Sequence, residues 1–266
     1  LTIAVPHDSK LDLIYVNTGR QRPVRMSMMI PPSSVDRAAS VTAPPILSRL
    51  MRLPLFHGMD SAALTRITAG ASELRLKSGA VIYRRGDPCN GVFIVVQGQV
   101  KLALHTSNGS EKVVELVGPG GCIGETTIIR GRPHALTAET IAPTRIVHLA
   151  RAAVQGELER TPVFARSLVA SLSDRLYRLI AGFEDCMLHS GTERVIGDLL
   201  NRLPAGVNNG EAMISLAVKK RIIASQLNLT QEHFSRILRE LTLKGLIEVN
   251  GRRIRVRDIE RLRAHA

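Results

Sequence analysis

The chain has 266 residues, 36 Lys and Arg against 23 Asp and Glu, a net charge of +13 and a pI near 10.6. That length gives one or two domains with a sizeable core, and the charge favours an anionic partner, be it DNA, RNA or a membrane surface. No apolar run reaches the roughly eighteen residues of a membrane span, and with no Trp and 3% aromatics a base-stacking platform for single strands is unexpected.

Residues 1–45 show no sustained period and carry Pro31, Pro32, Pro44 and Pro45 around a Ser/Ala-rich tract, so they read as a disordered extension. They lack the apolar core of a signal peptide. The first residue is Leu; a leucine start codon and a start at Met26, Met28 or Met29 are both open. Two short helices are expected between Ile46 and Gly70, the second capped by Asp60 or Ser61. From Ala71 to about Arg151, short alternating runs such as VFIVVQGQVKLAL are punctuated by Gly79, Gly86, Gly98, Gly109, Gly118, Gly120 and Gly121. That texture predicts a small antiparallel barrel or sandwich.

A long helix is predicted from Thr161-Pro162, with Thr as N-cap and Pro at the first helical position. Leu168/Val169, Leu172, Leu176, Leu179, Phe183 and Cys186/Met187 recur at spacings of three and four, a seam suited to a parallel homodimer. Ser190-Gly191 ends it, and Glu193–Leu203 forms a further helix stopped by Pro204. Ile214–Val218 is expected to pair with later strands.

Lys219–Val256 reads as helix, tight turn, second helix and hairpin. Ile222, Ile223 and Leu227 give the first helix an apolar face, and Asn228 suits a turn needing positive φ. Thr230 is a good N-cap for a helix whose apolar set is Phe234, Ile237, Leu238, Leu241 and Leu243. Glu232, Ser235, Arg236 and Arg239 share another face. Asn250-Gly251 predicts a type I′ hairpin turn before the strand Arg253–Val256. This is a winged helix-turn-helix, which lays its second helix in the major groove of double-stranded DNA. The candidate DNA contacts are Thr230, Gln231, Glu232, Ser235, Arg236, Arg239, Arg252 and Arg253. Residues from Gly191 onward hold 14 Lys/Arg against 8 Asp/Glu, so the basic excess concentrates around this motif.

Cys89, Cys122 and Cys186 are odd in number and far apart, which gives no disulfide framework and no metal-type spacing; a reducing cytoplasm is the simple inference. No HExxH, nucleophile–base constellation or phosphate loop is present, so an enzyme is not expected.

Four motifs together resemble the CRP/FNR family of bacterial transcription regulators: PLF at Pro54–Phe56, RRGDPCNGVFIVVQGQVKL at Arg84–Leu102, GPGGCIGET at Gly118–Thr126, and the helix-turn-helix. The resemblance covers residue 46 to the end. It implies an α+β chain with a cyclic-nucleotide-binding-like β-roll (jelly roll) sensor over 46–160, a dimerisation helix over 161–189 that uses Leu172, Leu176, Leu179 and Phe183, and a winged helix-turn-helix over 190–266. It further implies a signal sensed in the β-roll, a homodimer, and RNA polymerase as a partner. Glu232, Ser235 and Arg236 match the E-x-x-S-R pattern of the FNR-like branch, in a register similar to the dissimilatory nitrate respiration regulators. A TTGAT-N4-ATCAA-like palindrome is then the expected target.

The effector is less defined. In this fold a Gly-Glu pair holds a cyclic nucleotide's ribose, and Arg-Ser, about ten residues on, its phosphate. Gly124-Glu125 is present, but the aligned dipeptide is His134-Ala135, with Arg132 displaced beside Pro133. Losing that arginine removes a bidentate phosphate contact, so cyclic AMP is not the expected ligand. Gly124, Glu125, Arg132, His134 and Ala135 remain the candidate effector residues. Four thiolates are needed for an iron–sulfur cluster and three cysteines exist, which rejects it. The nitrate-regulator resemblance suggests haem, with His57, His105, His134, His148 and Cys122 as open candidate ligands; Cys122 as a redox sensor is the other option. Two alternatives stand beside the main reading: a cyclic-AMP-dependent regulator, and the regulatory module of an enzyme or channel.

Overall fold

The computed structural model describes residues 35–36, 44–106 and 111–265. Strand β1 is the pair Val35–Asp36, and helix α1 runs over Pro44–Leu50. Both begin inside the segment expected to be disordered; residues 1–34 and 37–43 lie outside the described residues. A single 3-10 turn at Pro54–Phe56 uses proline's preset φ. Helix α2, Ser61–Thr68, is capped by Asp60, whose Oδ1 accepts from the Ala63 amide at 2.6 Å.

Eight strands follow: β2 (Ser72–Leu76), β3 (Val81–Tyr83), β4 (Gly91–Gln97), β5 (Val100–His105), β6 (Glu111–Val117), β7 (Cys122–Ile123), β8 (Thr137–Thr140) and β9 (Thr144–Ala150). The short helix α3, Glu125–Ile128, interrupts them after β7. They form two antiparallel sheets, in the orders β1-β2-β9-β4-β7 and β3-β8-β5-β6. Five consecutive residues of β4, Gly91–Val95, are buried, because the strand faces two cores. Phe93 and Val95 join Leu102, Ile123 and Ile146 between the sheets. Val92 and Ile94 meet Leu64, Ile67 and Phe164 on the helical side. Alternation along the pleat thus serves two apolar layers, and the run shows no polar period.

Helix α4 (Arg151–Arg160) precedes α5 (Pro162–Leu188). Pro162 opens α5 as expected, but Thr161 makes no capping bond. Its hydroxyl instead donates to Glu157, a buried carboxylate that also takes Arg66 Nε at 3.0 Å and Nη2 at 2.8 Å. The hydroxyl goes to the carboxylate because a hydrogen bond to a buried charge is stronger than a cap on a helix amide that solvent can reach. Ser190, which closes α5 in sequence terms, is the N-cap of α6 (Gly191–Asn201), with Glu193 completing a capping box.

The remaining elements are β10 (Ala212–Ser215), α7 (Lys220–Gln226), α8 (Gln231–Leu243), β11 (Ile247–Asn250), β12 (Arg253–Val256) and α9 (Ile259–Arg263). The sheet order is β10-β12-β11, so the strand after α6 does pair with the wing. Two local expectations are corrected. Asn250 pairs with Arg253, so the central turn residues are Gly251 and Arg252. Only Gly251 has positive φ, +59°, which is the type II′ requirement and not type I′. Leu243 is 82% exposed and outside the core; it lies two residues from buried Leu241, about 200° around the helix.

Candidate DNA interface and effector cavity

Helix α8 is seated by its apolar face. Phe234, Ile237, Leu238 and Leu241 are buried with Ile223 of α7, Leu246 and Ile254. Asn228 holds φ +59° between the helices, the one non-glycine residue there among the described residues. Thr230 Oγ1 accepts from the His233 amide at 3.1 Å. With helix and cap so placed, Gln231, Glu232, Ser235, Arg236 and Arg239 all face solvent. Arg236 Nε stands 4.0 Å from Glu240, a loose contact that leaves the guanidinium available. On the wing the arginines divide. Arg255 pairs with Glu211 and Glu248, and Arg257 with Glu248. Arg252 and Arg253, at and beside the turn tip, are exposed and in no ion pair among the described residues.

A second site lies between the β-roll and α5. A cavity of about 320 Å³ is lined by Gly124, His134 and Ala135 together with Leu172, Leu176 and Leu179 of α5. Arg132 is exposed and does not line it. Glu125 is 2% exposed and is engaged by Arg175 of α5 through Oε1, while Oε2 has no hydrogen-bond partner among the described residues. Arg175 Nη2 also stands 2.7 Å from Glu115 Oε2 of β6. Burial pushes the Glu125 carboxyl up, with Arg175 working against it. His134 is 3% exposed and stacks on Tyr83 at 3.6 Å between centroids and 9° between planes. Burial lowers its pKa to about 4, so the ring is neutral at pH 7.

Sequence reasoning missed Arg175, Tyr83 and Glu115. A signal for the first existed: Arg175 stands three residues after Leu172 and four before Leu179, a cation on an apolar face, which demands a buried partner. Of the candidate haem ligands, His57 and His105 are outside the cavity, His148 lies beside Gly91, and only His134 lines it. A haem would bring two carboxylates to a cavity whose one lining guanidinium is already paired, and the site does not fit it. Burial, then the neighbouring Glu125, hold the Cys122 thiol well above its ordinary range, which disfavours the reactive thiolate.

Among the seam residues, Leu172 is partly buried against the β-roll core. Leu176, Leu179 and Phe183 are exposed, in a stripe with Val169, Ile180 and Met187. No helix among the described residues is long and apolar enough to cross a membrane.

Comparison with known proteins agrees with this architecture. Residues 73–161 match the cyclic nucleotide-binding domain family, and residues 193–265 the Crp-like helix-turn-helix domain family. The chain is 25% identical over 219 residues to the CRP-like cAMP-activated global transcriptional regulator of Mycobacterium tuberculosis (strain CDC 1551 / Oshkosh), covering 82% of this chain and 98% of that one. It is 27% identical over 195 residues to the transcriptional activator protein anr of Pseudomonas aeruginosa, covering 69% and 75%. Among solved structures, FixK2 from Bradyrhizobium japonicum is similar with a TM-score of 0.63 and 27% identity, over 73% of this chain and 96% of that one. A sensor β-roll, a long helix and a winged helix-turn-helix in this order make the chain a member of the CRP/FNR family, an effector-regulated DNA-binding transcription regulator and not an enzyme.

Proposed function

We propose that the chain acts as a homodimer that reads a pseudo-palindromic operator with α8 and changes its grip when a small molecule occupies the cavity under α5. The observation that carries the reading is the face of α8: Glu232, Ser235 and Arg236 are exposed on a helix whose opposite side is locked into the core. A guanidinium can chelate O6 and N7 of guanine, and a carboxylate can accept from cytosine N4. The E-x-x-S-R register supports an FNR-like target, TTGAT-N4-ATCAA, of the kind the nitrate respiration regulators would share. Arg236 would read the G, Glu232 the cytosine paired with it, and Ser235 would sit near the outer T:A pairs. Thr230, Gln231 and Arg239 flank them as phosphate contacts, with Arg252 and Arg253 of the wing. The apolar stripe of α5 supports a second copy as its cover, which would set the recognition helices about one DNA turn apart. RNA polymerase is the partner through which such a complex would act.

In-vitro selection from random DNA tests this. FNR-type half-sites are expected, and Arg236→Ala should cost roughly 1–3 kcal/mol per half-site and relax preference at the G. Enrichment of TGTGA half-sites, or unaltered preference in the variant, would sink the assignment.

The second reading is control by cyclic AMP, favoured by Gly124 in the cavity wall, by Glu125 next to it on the lining residue Arg175, and by the activation named for the mycobacterial relative. Micromolar cyclic AMP affinity by calorimetry, lost in Glu125→Ala, would establish it in place of another effector.

A further inference from the structure

The cavity's charges restrict what it can hold. Arg175 is its one lining cation, and it is claimed twice, by Glu125 Oε1 at Nη1 and by Glu115 Oε2 at 2.7 Å from Nη2. An incoming anion finds no unpaired cation there. To win Arg175 it must displace a carboxylate, and Glu125, at 2% exposure, would be left as a bare buried charge. Arg132 offers no substitute from its exposed position outside the lining. The walls are leucines: Leu102 of β5, Leu136, and Leu172, Leu176 and Leu179 of α5. Among the lining residues, one has an orphan buried polar atom. His134 Nε2 is buried without a hydrogen-bond partner among the described residues, in a ring stacked on Tyr83. Such an atom costs stability unless something pairs with it.

We propose that this cavity binds an uncharged, mainly apolar small molecule carrying one hydrogen-bonding group, held between the α5 leucines and the β-roll with His134 as its polar contact. The inference rests on the regulator reading for its consequence, and on the cavity's own residues for its chemistry. A neutral imidazole can present a lone pair or an N–H according to tautomer, so it pairs with a hydroxyl, an amine or a carbonyl. The volume, about 320 Å³, is at the lower end for small-molecule sites. Leu176 and Leu179 belong both to the cavity wall and to the exposed α5 stripe. An occupant therefore touches the side chains that a second copy would cover, which is how it would reach the DNA-binding half.

Two dyes of one skeleton test the charge rule: neutral N-phenyl-1-naphthylamine, with a single N–H, and 8-anilinonaphthalene-1-sulfonate, the same frame with a fixed negative charge. Fluorescence titration of the full chain should show one saturable site for the neutral dye, binding roughly tenfold or more tightly than the sulfonate, the difference expected for burying an unpaired charge. Ala135→Trp fills the mouth from an exposed position and should abolish that site; Thr126→Trp, also exposed at the lining, serves if the first variant fails to fold. His134→Ala should weaken the neutral dye severalfold. Neutral-dye binding indifferent to both tryptophans, or sulfonate or cyclic AMP binding the site as tightly as the neutral dye, would overturn the inference. Operator affinity on the same samples separates the two readings. Dye in the cavity with operator affinity unmoved supports the ligand class and sinks effector coupling. Operator binding without any neutral-dye site overturns the ligand class alone.

Discussion

Arg175 bears most of the cavity's electrostatic burden, because it brings one positive charge into an apolar wall and holds two carboxylates there. Replacing it with Met keeps the bulk but strands Glu125, a change of the kind that costs roughly 3–5 kcal/mol. Urea denaturation should show that loss in Arg175→Met, and Glu125→Gln added to it should restore much of the stability; identical midpoints for the single and double variants would show that the two residues are uncoupled. His134 gives a prediction of opposite logic. Its pKa falls on folding from the ordinary 6.5 to about 4, so the unfolded chain binds more protons between those values. Stability is therefore retained above pH 6.5 and lost as pH falls toward 4, at most about 1.4 kcal/mol per pH unit from this one group. His134→Gln should flatten that acid limb in thermal melts at stepped pH; an unchanged limb would assign it elsewhere. Gly124-Glu125 and His134-Ala135 were legible because a local motif carries them. Arg175, Tyr83 and Glu115 were not, because their roles depend on α5 crossing the β-roll, a long-range fact that no local spacing encodes.

At the scale of elements, periodicity and caps told most of the story: Asn228, Thr230 and the apolar set of α8 placed the helix-turn-helix, and Pro162 placed the start of α5. What failed were choices between equally good local chemistries. Thr161 could cap a helix or serve Glu157, and the buried carboxylate won; Asn250-Gly251 could centre the turn, and the strand register moved it by one residue. The seam on α5 is likewise refined by packing. Leu172 already packs in its own β-roll, whereas Leu176 is 58% and Phe183 66% exposed. Leu176→Glu with Phe183→Glu should therefore separate a dimer without loosening the fold, seen as a monomer in sedimentation with an unshifted melting temperature; a persistent dimer would rule out this face. The wing makes a companion case. Arg253→Ala should weaken all DNA sequences alike and flatten the salt dependence, since phosphate contacts position without specifying. Arg255→Ala should do less, because Glu211 and Glu248 already hold that guanidinium; equal effects in binding titrations at two salt concentrations would show that the ion pairs do not screen it.

Across the whole molecule the two halves meet at the edge of a sheet. Strand β6 ends the order β3-β8-β5-β6, so one of its sides has no strand neighbour and its backbone groups there need other partners. The winged helix supplies them. Ser225 Oγ of α7 accepts from the Val113 amide at 2.8 Å and donates to the Glu111 carbonyl at 3.1 Å, standing in for a paired strand. Lys112 Nζ donates to the Ser225 carbonyl at the end of α7, and to Asn228 Oδ1 at 2.9 Å. A cation at a helix C-terminus is favourably placed, and Val113, 1% exposed, completes the apolar core of the DNA-binding half. Glu115, two residues further along the strand, is the partner of Arg175 in the cavity wall. Strand β6 thus contacts both Arg175 of the cavity wall and the helix-turn-helix, so a displacement of Arg175 by an occupant would have a short path to α7. Ser225→Ala keeps the helix but leaves the Val113 amide and the Glu111 carbonyl unpaired, a loss of roughly 1–3 kcal/mol at the junction. Hydrogen–deuterium exchange on the full chain should then show faster exchange at Val113 and through α7, with β4 and β9 unchanged, and a shift in operator affinity alongside it. Unchanged exchange at Val113 would mean that this hydroxyl is not what couples the two halves.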